Sequence, residues 1–209
     1  MFTRQTPVST NHPTAARFSH QTYLVRKKFW QFFGSSFYVY DSNGALVLFS
    51  KMKAFKLKED IRVFTDETLQ TEALSIQARS VLDFSGSYDV YDSSSGQRVG
   101  ALRRKGLMSS FYKDEWVILD NADREVGLIQ EESAFLALLR KYLLGALIPQ
   151  SFNAQMGGRT VATFSQHFSL FATKLTLDFS ADPQHQFDRR LGIAAGILLC
   201  AIEGKQQSN

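Results

Sequence analysis

The chain has 209 residues, 44% of them apolar, which suits one globular domain. The lone cysteine, Cys200, excludes an intramolecular disulfide and a cysteine-based zinc site, and it fits a reducing compartment as a small core residue. The net charge of +4 is uneven: residues 1–58 carry nine Lys/Arg against one acid, Asp41, while residues 59–209 carry fifteen against nineteen.

Taken in chain order, residues 1–20 are rich in Thr, Ser, Pro and Asn and lack the apolar run of a signal peptide, so they read as a mobile tail ahead of a single domain, 21–209. "TYLVRKK" is a first strand. A unit then repeats four times. "FYVYD" ends at Asp41, "RVFTD" at Asp66, "YDVYD" at Asp92 and "WVILD" at Asp120, each followed by a short polar turn and a second strand-like run. The Asp spacings are 25, 26 and 28 residues. Each unit reads as a β-hairpin. Asp bonds its own backbone two residues on, and Gly44 and Gly96 supply positive φ. Alternation places Phe37 and Val39 on one face, Tyr38 and Tyr40 on the other; likewise Val99, Ala101 and Arg103 oppose Arg98, Gly100 and Leu102.

The same turns invite a calcium reading, which position twelve of such a loop excludes. A bidentate Glu is required there, and counting from Asp41 or Asp92 it is Met52 or Arg103.

Next comes a leucine-rich helix, Ser133 to Ile148, stopped by Pro149 and expected to plug one end of the sheet. A fifth hairpin turns at Gly157–Gly158 and returns over Thr160 to Gln166; a last strand spans Ala172 to Ser180. Asp188 caps a second helix in which nothing from Leu191 to Ile202 is charged or strongly polar. A helix apolar all round must be enclosed all round, and its twelve apolar residues are too few for a bilayer, so the enclosure should be protein. The expectation is a mainly β protein with two helices: about twelve antiparallel strands closed into a barrel around a buried apolar C-terminal helix.

Three of these stretches, "YDVYD…GQRVGALRRK", "WVILDNADREVGLIQEES" and "ALLRKYLLGALIPQSF", together with "KLTLDFSADPQHQFDRRLGIAAGILLCAIEGKQ", resemble the LURP-one-related family. That family is related to the phospholipid scramblases, and both are similar to the Tubby C-terminal domain. The resemblance covers about residues 21–207 and implies a twelve-stranded barrel around a central helix. Tubby domains bind phosphoinositide headgroups through basic side chains, but no motif here matches that site residue by residue. Scramblases carry an acidic, calcium-associated segment before the last helix. Its counterpart here, "DFSADPQHQFD" with Asp178, Asp182 and Asp188, departs from that spacing.

No Walker, nucleophile-elbow, dinucleotide-binding or zincin motif is present, and His12, His20, His167 and His185 are scattered. The sequence therefore reads as a non-catalytic binding barrel with no cofactor and no metal. Its expected partner is an anionic membrane surface or another protein, and its expected location is cytoplasmic, peripheral at the membrane. Scramblase-like lipid translocation is the alternative. The sequence pI of about 9.2 permits nucleic acid, yet the charge lies in the N-terminal third and no recognition helix is evident. The candidate headgroup-binding residues are Arg26, Lys27, Lys28, Lys51, Lys53, Lys56, Lys58, Arg103, Arg104 and Lys105, expected to meet as one basic rim of strand ends, with Phe29, Trp30, Phe32 and Phe33 nearby to enter the interface.

Overall fold

The computed structural model describes residues 13–30, 34–52, 60–79, 86–105, 115–132, 150–167 and 172–206. The expected helix at Ser133–Ile148, together with Lys53, Lys56, Lys58, Phe32, Phe33 and the side chains of Phe29 and Trp30, lies outside the described residues. Twelve strands follow a short helical turn, α1 (Pro13–Ala16): β1 (Thr22–Trp30), β2 (Gly34–Asp41), β3 (Leu46–Met52), β4 (Ile61–Phe64), β5 (Glu72–Ala78), β6 (Ser87–Asp92), β7 (Arg98–Arg104), β8 (Glu115–Leu119), β9 (Glu125–Glu131), β10 (Ser151–Met156), β11 (Arg159–His167) and β12 (Ala172–Asp178). Each strand pairs antiparallel with its sequence neighbours, and β12 returns to β1, so the sheet closes. The closing register runs from Thr22 opposite Asp178 to Lys28 opposite Ala172. Closure leaves no edge to template aggregation.

The repeating unit has a common anatomy. All five hairpins shift register near the turn: between Val39 and Tyr40, Val63 and Phe64, Val90 and Tyr91, Ile118 and Leu119, and Ala154 and Gln155. A bulge at a fixed place bends and twists each strand alike, which is what a closed wall requires. It also corrects the facing in β7. Val99 is the extra residue of the bulge and packs toward the core, so it does not share the outward face of Ala101 and Arg103. The repeated aspartates hold the turns. Asp41 Oδ1 accepts from Asn43 N at 2.9 Å and Ala45 N at 2.8 Å, Asp92 Oδ1 from Ser94 N at 2.9 Å, and Asp120 Oδ1 from Ala122 N at 2.8 Å.

Inside the barrel runs the C-terminal helix, α2 (Arg189–Gln206). From Leu191 to Ala201 every residue is buried, as its even apolarity demands. Its small residues set the spacing from the wall: a Cβ on Gly196 would stand 2.9 Å from Leu177 Cδ2, and one on Gly192 would collide with the Phe179 ring. Asp188 is the cap, accepting from Arg190 N at 2.9 Å.

Residues 13–20 belong to the stretch assigned by composition to a mobile tail, yet they are fastened to the wall. Arg17 Nη1 donates to Val47 O at 2.8 Å and to Thr65 O at 3.0 Å, and Phe18 packs against the core.

Candidate functional site

Alternation along β1 divides its basic run. Tyr23, Val25 and Lys27 point into the barrel, and Leu24, Arg26 and Lys28 point out. Lys27 is 2% exposed and donates its ammonium to Cys200 O at 2.8 Å and Ala201 O at 3.4 Å. It is therefore an interior strut between wall and helix and is not part of an outward basic rim. Cation and carbonyl dipoles toward the C-terminal half of a helix attract one another, which offsets the desolvation of the charge.

The outward residues line up in rows across the wall. One row runs Lys174, Arg26, Tyr38, Phe49, Phe64 over β12, β1, β2, β3 and β4; the next runs Ala172, Lys28, Ser36, Lys51. Directly opposed side chains are neighbours on such a surface. Lys28 Nζ stands 4.6 Å from the centroid of the Tyr38 ring, within cation–π range. Tyr38 meets Phe49 edge-on at 5.0 Å and stacks over Tyr40 at 6.3 Å. The wall β12–β1–β2–β3 thus has an aromatic floor flanked by cations.

Two shallow depressions open on it. One, of about 410 Å³, is lined by Ser35, Ser36, Tyr38, Phe49, Lys51, Glu67 and Leu69. The other, of about 520 Å³, is lined by Arg26, Lys174, Leu24, Tyr40, Thr176 and the β2–β3 turn. Two carboxylates line these depressions, Asp41 and Glu67; Asp41 accepts from the backbone of its own turn and Glu67 bonds the Tyr38 hydroxyl, and among the described residues neither is ion-paired with the cations beside it. Burial, followed by that bond to Glu67, pushes the Tyr38 phenol up. Among the described residues, Arg26, Lys28, Lys51 and Lys174 have no carboxylate partner, and Arg26 Nε is buried without a hydrogen bond.

The expected single rim divides here. β7 is six strands from β1 in either direction round the barrel, so Arg103, Arg104 and Lys105 stand on the opposite wall. Arg103 pairs with Glu125, and Lys105 Nζ lies 3.0 Å from Glu115. Arg104 alternates to the inner side, beside Tyr88. Above them Arg79 and Arg98 share Asp89 and Asp123. The guanidinium groups of Arg98 and Arg79 hold the Asp123 carboxyl down at about 2. Cations on that wall are neutralised by acids; those on β12–β1–β2–β3 are not. Lys174 carries no local motif, and only closure of the last strand onto the first brings it opposite Arg26.

The mouth of the barrel holds a third depression, of about 380 Å³, lined by Phe18, Asp92, His185, Phe187, Asp188 and Arg190 among others. Its charges satisfy one another: Arg190 bonds Asp92 at 2.7 Å and Asp188 at 2.5 Å. The acidic segment before α2 is likewise a lock. Asp182, 3% exposed, accepts from Gln186 N and Phe187 N at 2.9 Å each and from Arg189 Nη1 at 2.8 Å, while Arg189 lies 4.4 Å from the Phe179 ring. Asp178 accepts from Ser180 N at 2.8 Å. Among the described residues no three His, Cys, Asp or Glu side chains are grouped as metal ligands.

The sequence profile of the LURP-one-related family matches residues 46–200. The chain belongs to the LURP-one-related family. No curated protein matches it. Among solved structures, an X-ray structure of an Arabidopsis thaliana protein is similar at 11% identity, with a TM-score of 0.48, over 88% of this chain and 93% of that one. In this LURP-one-related barrel the family match spans β3 to most of α2, so β1, which supplies Arg26 and Lys28 to the basic wall, and β2, which supplies Tyr38, lie ahead of it. No helix among the described residues is long and apolar enough to cross a membrane.

Proposed function

We propose that this LURP-one-related barrel is a non-catalytic module that docks on anionic lipid headgroups, at the cytoplasmic surface of a membrane, through the outer wall β12–β1–β2–β3. The observation that carries the reading is the set of four outward cations without carboxylate partners, Arg26, Lys28, Lys51 and Lys174, in adjoining rows over aromatic side chains. Unpaired cations keep their full attraction for a surface of phosphates, at roughly 1 kcal/mol each near an anionic membrane. Four of them supply roughly 4 kcal/mol at low salt, and screening over about 8 Å at physiological ionic strength reduces this. The tyrosines suit the headgroup layer, where one end of the ring is wet and the other is not.

Docking is favoured over lipid translocation by the position of α2. Its apolar girth is taken up by the wall that surrounds it, so the helix does not offer a lipid-facing surface. Vesicle flotation tests the docking reading. Recovery with phosphatidylserine-containing vesicles should exceed recovery with phosphatidylcholine vesicles and fall steeply with salt. Equal recovery with both, independent of salt, would contradict it.

A further inference from the structure

The β4–β5 turn carries a side chain that headgroup contact leaves unexplained. Leu69 is 39% exposed, the one large hydrophobic side chain in that condition among the described residues. Its backbone stands at φ 59°, in the left-handed region that a leucine seldom occupies. The turn is well held: Asp66 Oδ1 accepts from Thr68 N at 2.8 Å, Thr65 N donates to Thr71 O at 2.9 Å, and Leu69 N reaches Asp66 O at 3.4 Å. The turn itself sets this φ, since Gly44 and Asp123, at the same place after Asp41 and Asp120, stand at 80° and 64°; what is particular to the β4–β5 turn is that a leucine fills the position and points its apolar side chain to solvent.

Its surroundings say what the tip meets. Leu69 shares the 410 Å³ depression with Lys51, Tyr38, Phe49 and one carboxylate, Glu67, and Lys28 stands over Tyr38. Cations set beside one protruding apolar side chain match the layering of an anionic bilayer, phosphates outside and hydrocarbon beneath. An acidic protein partner would need an apolar pocket matched in place to this one leucine, whereas an anionic bilayer carries hydrocarbon beneath its phosphates everywhere. We infer that Leu69 is a membrane anchor: when the wall docks, the β4–β5 turn carries this side chain below the headgroups. The inference rests on the headgroup-docking reading above.

Depth can be read with an environment-sensitive nitrobenzoxadiazole label on the full chain carrying Leu69→Cys. Cys200 is 1% exposed and stays unlabelled. Ala122→Cys, in the exposed β8–β9 turn of the opposite wall, is the control. With phosphatidylserine-containing vesicles at low salt, the label at position 69 should shift to the blue and lose its quenching by iodide, and the label at position 122 should do neither. Leu69→Asn adds a second measure, because asparagine tolerates the left-handed conformation. Its stability should hold or rise while vesicle partition falls about three-fold. Vesicle-bound protein whose label at position 69 stays as open to iodide as in the free protein overturns the anchor and leaves docking intact. Equal protection at positions 69 and 122 also overturns it. Wild-type protein that does not bind these vesicles overturns docking, and the anchor with it.

Discussion

Lys27 and Lys28 are adjacent in the chain and sit in opposite environments. Period-2 alternation turns Lys27 into the barrel, where its ammonium reaches the α2 carbonyls of Cys200 and Ala201, and turns Lys28 outward over Tyr38. Substitution should therefore separate their roles. Lys27→Ala loses a charge-assisted bond and buried stem packing, and should lower stability by about 2–3 kcal/mol in urea unfolding. Partition of the remaining folded protein onto anionic vesicles should not change. Lys28→Gln should leave the unfolding midpoint in place and weaken partition about five-fold. The inward position of Lys27 was legible in "TYLVRKK", since Tyr23, Val25 and Lys27 share a parity. What the sequence could not show is the acceptor, which lies 173 residues away on α2.

Among the elements, α2 was the most legible, because its apolarity on every side admits no exposed face. Its glycines are the points where wall and helix nearly touch. A methyl added by Gly192→Ala meets the Phe179 ring, which is itself hemmed in by Tyr23, Phe164, Phe187 and Arg189. Overpacking of about 1–3 kcal/mol should outweigh the gain of about 1 kcal/mol in helix propensity, so the urea midpoint should fall.

The segment ahead of α2 was less legible. Its three aspartates look alike in sequence, and only the fold turns Arg189 back onto Asp182. Burial raises the Asp182 carboxyl, but the Phe187 amide, Arg189 and the Gln186 amide outweigh it and hold the group below its usual range. A carboxyl depressed in the folded state stabilises the fold above its unfolded value of about 3.9, and that contribution is lost as pH falls below it. The wild-type melting temperature should therefore drop as pH falls below about 4. Asp182→Asn leaves Arg189 buried without its counter-charge and should cost about 3–5 kcal/mol at neutral pH, with a flatter acid dependence.

At the scale of the whole molecule, the charge imbalance of the sequence becomes a difference between two walls. β1, β2 and β3 come from the segment with a single acid, so their outward cations find few carboxylates; β5 to β9 come from the acid-rich remainder, and there Arg79, Arg98, Arg103 and Lys105 are all paired. The equivalence of the β2–β3 and β6–β7 hairpins in sequence suggests adjacency in space. Closure separates them instead, placing β7 four strands from β3. Closure also recruits Lys174 to the basic wall, a juxtaposition no local pattern announces.

The most direct test compares the two walls in one measurement, the partition coefficient of the full chain onto phosphatidylserine-containing vesicles at low salt. Substituting Arg26, Lys28, Lys51 and Lys174 together by Gln should weaken partition by about a hundredfold or more, whereas Arg103→Gln with Lys105→Gln should change it by less than about two-fold. Equal losses from the two walls, or none from the first, would contradict the assignment of β12–β1–β2–β3 as the docking surface.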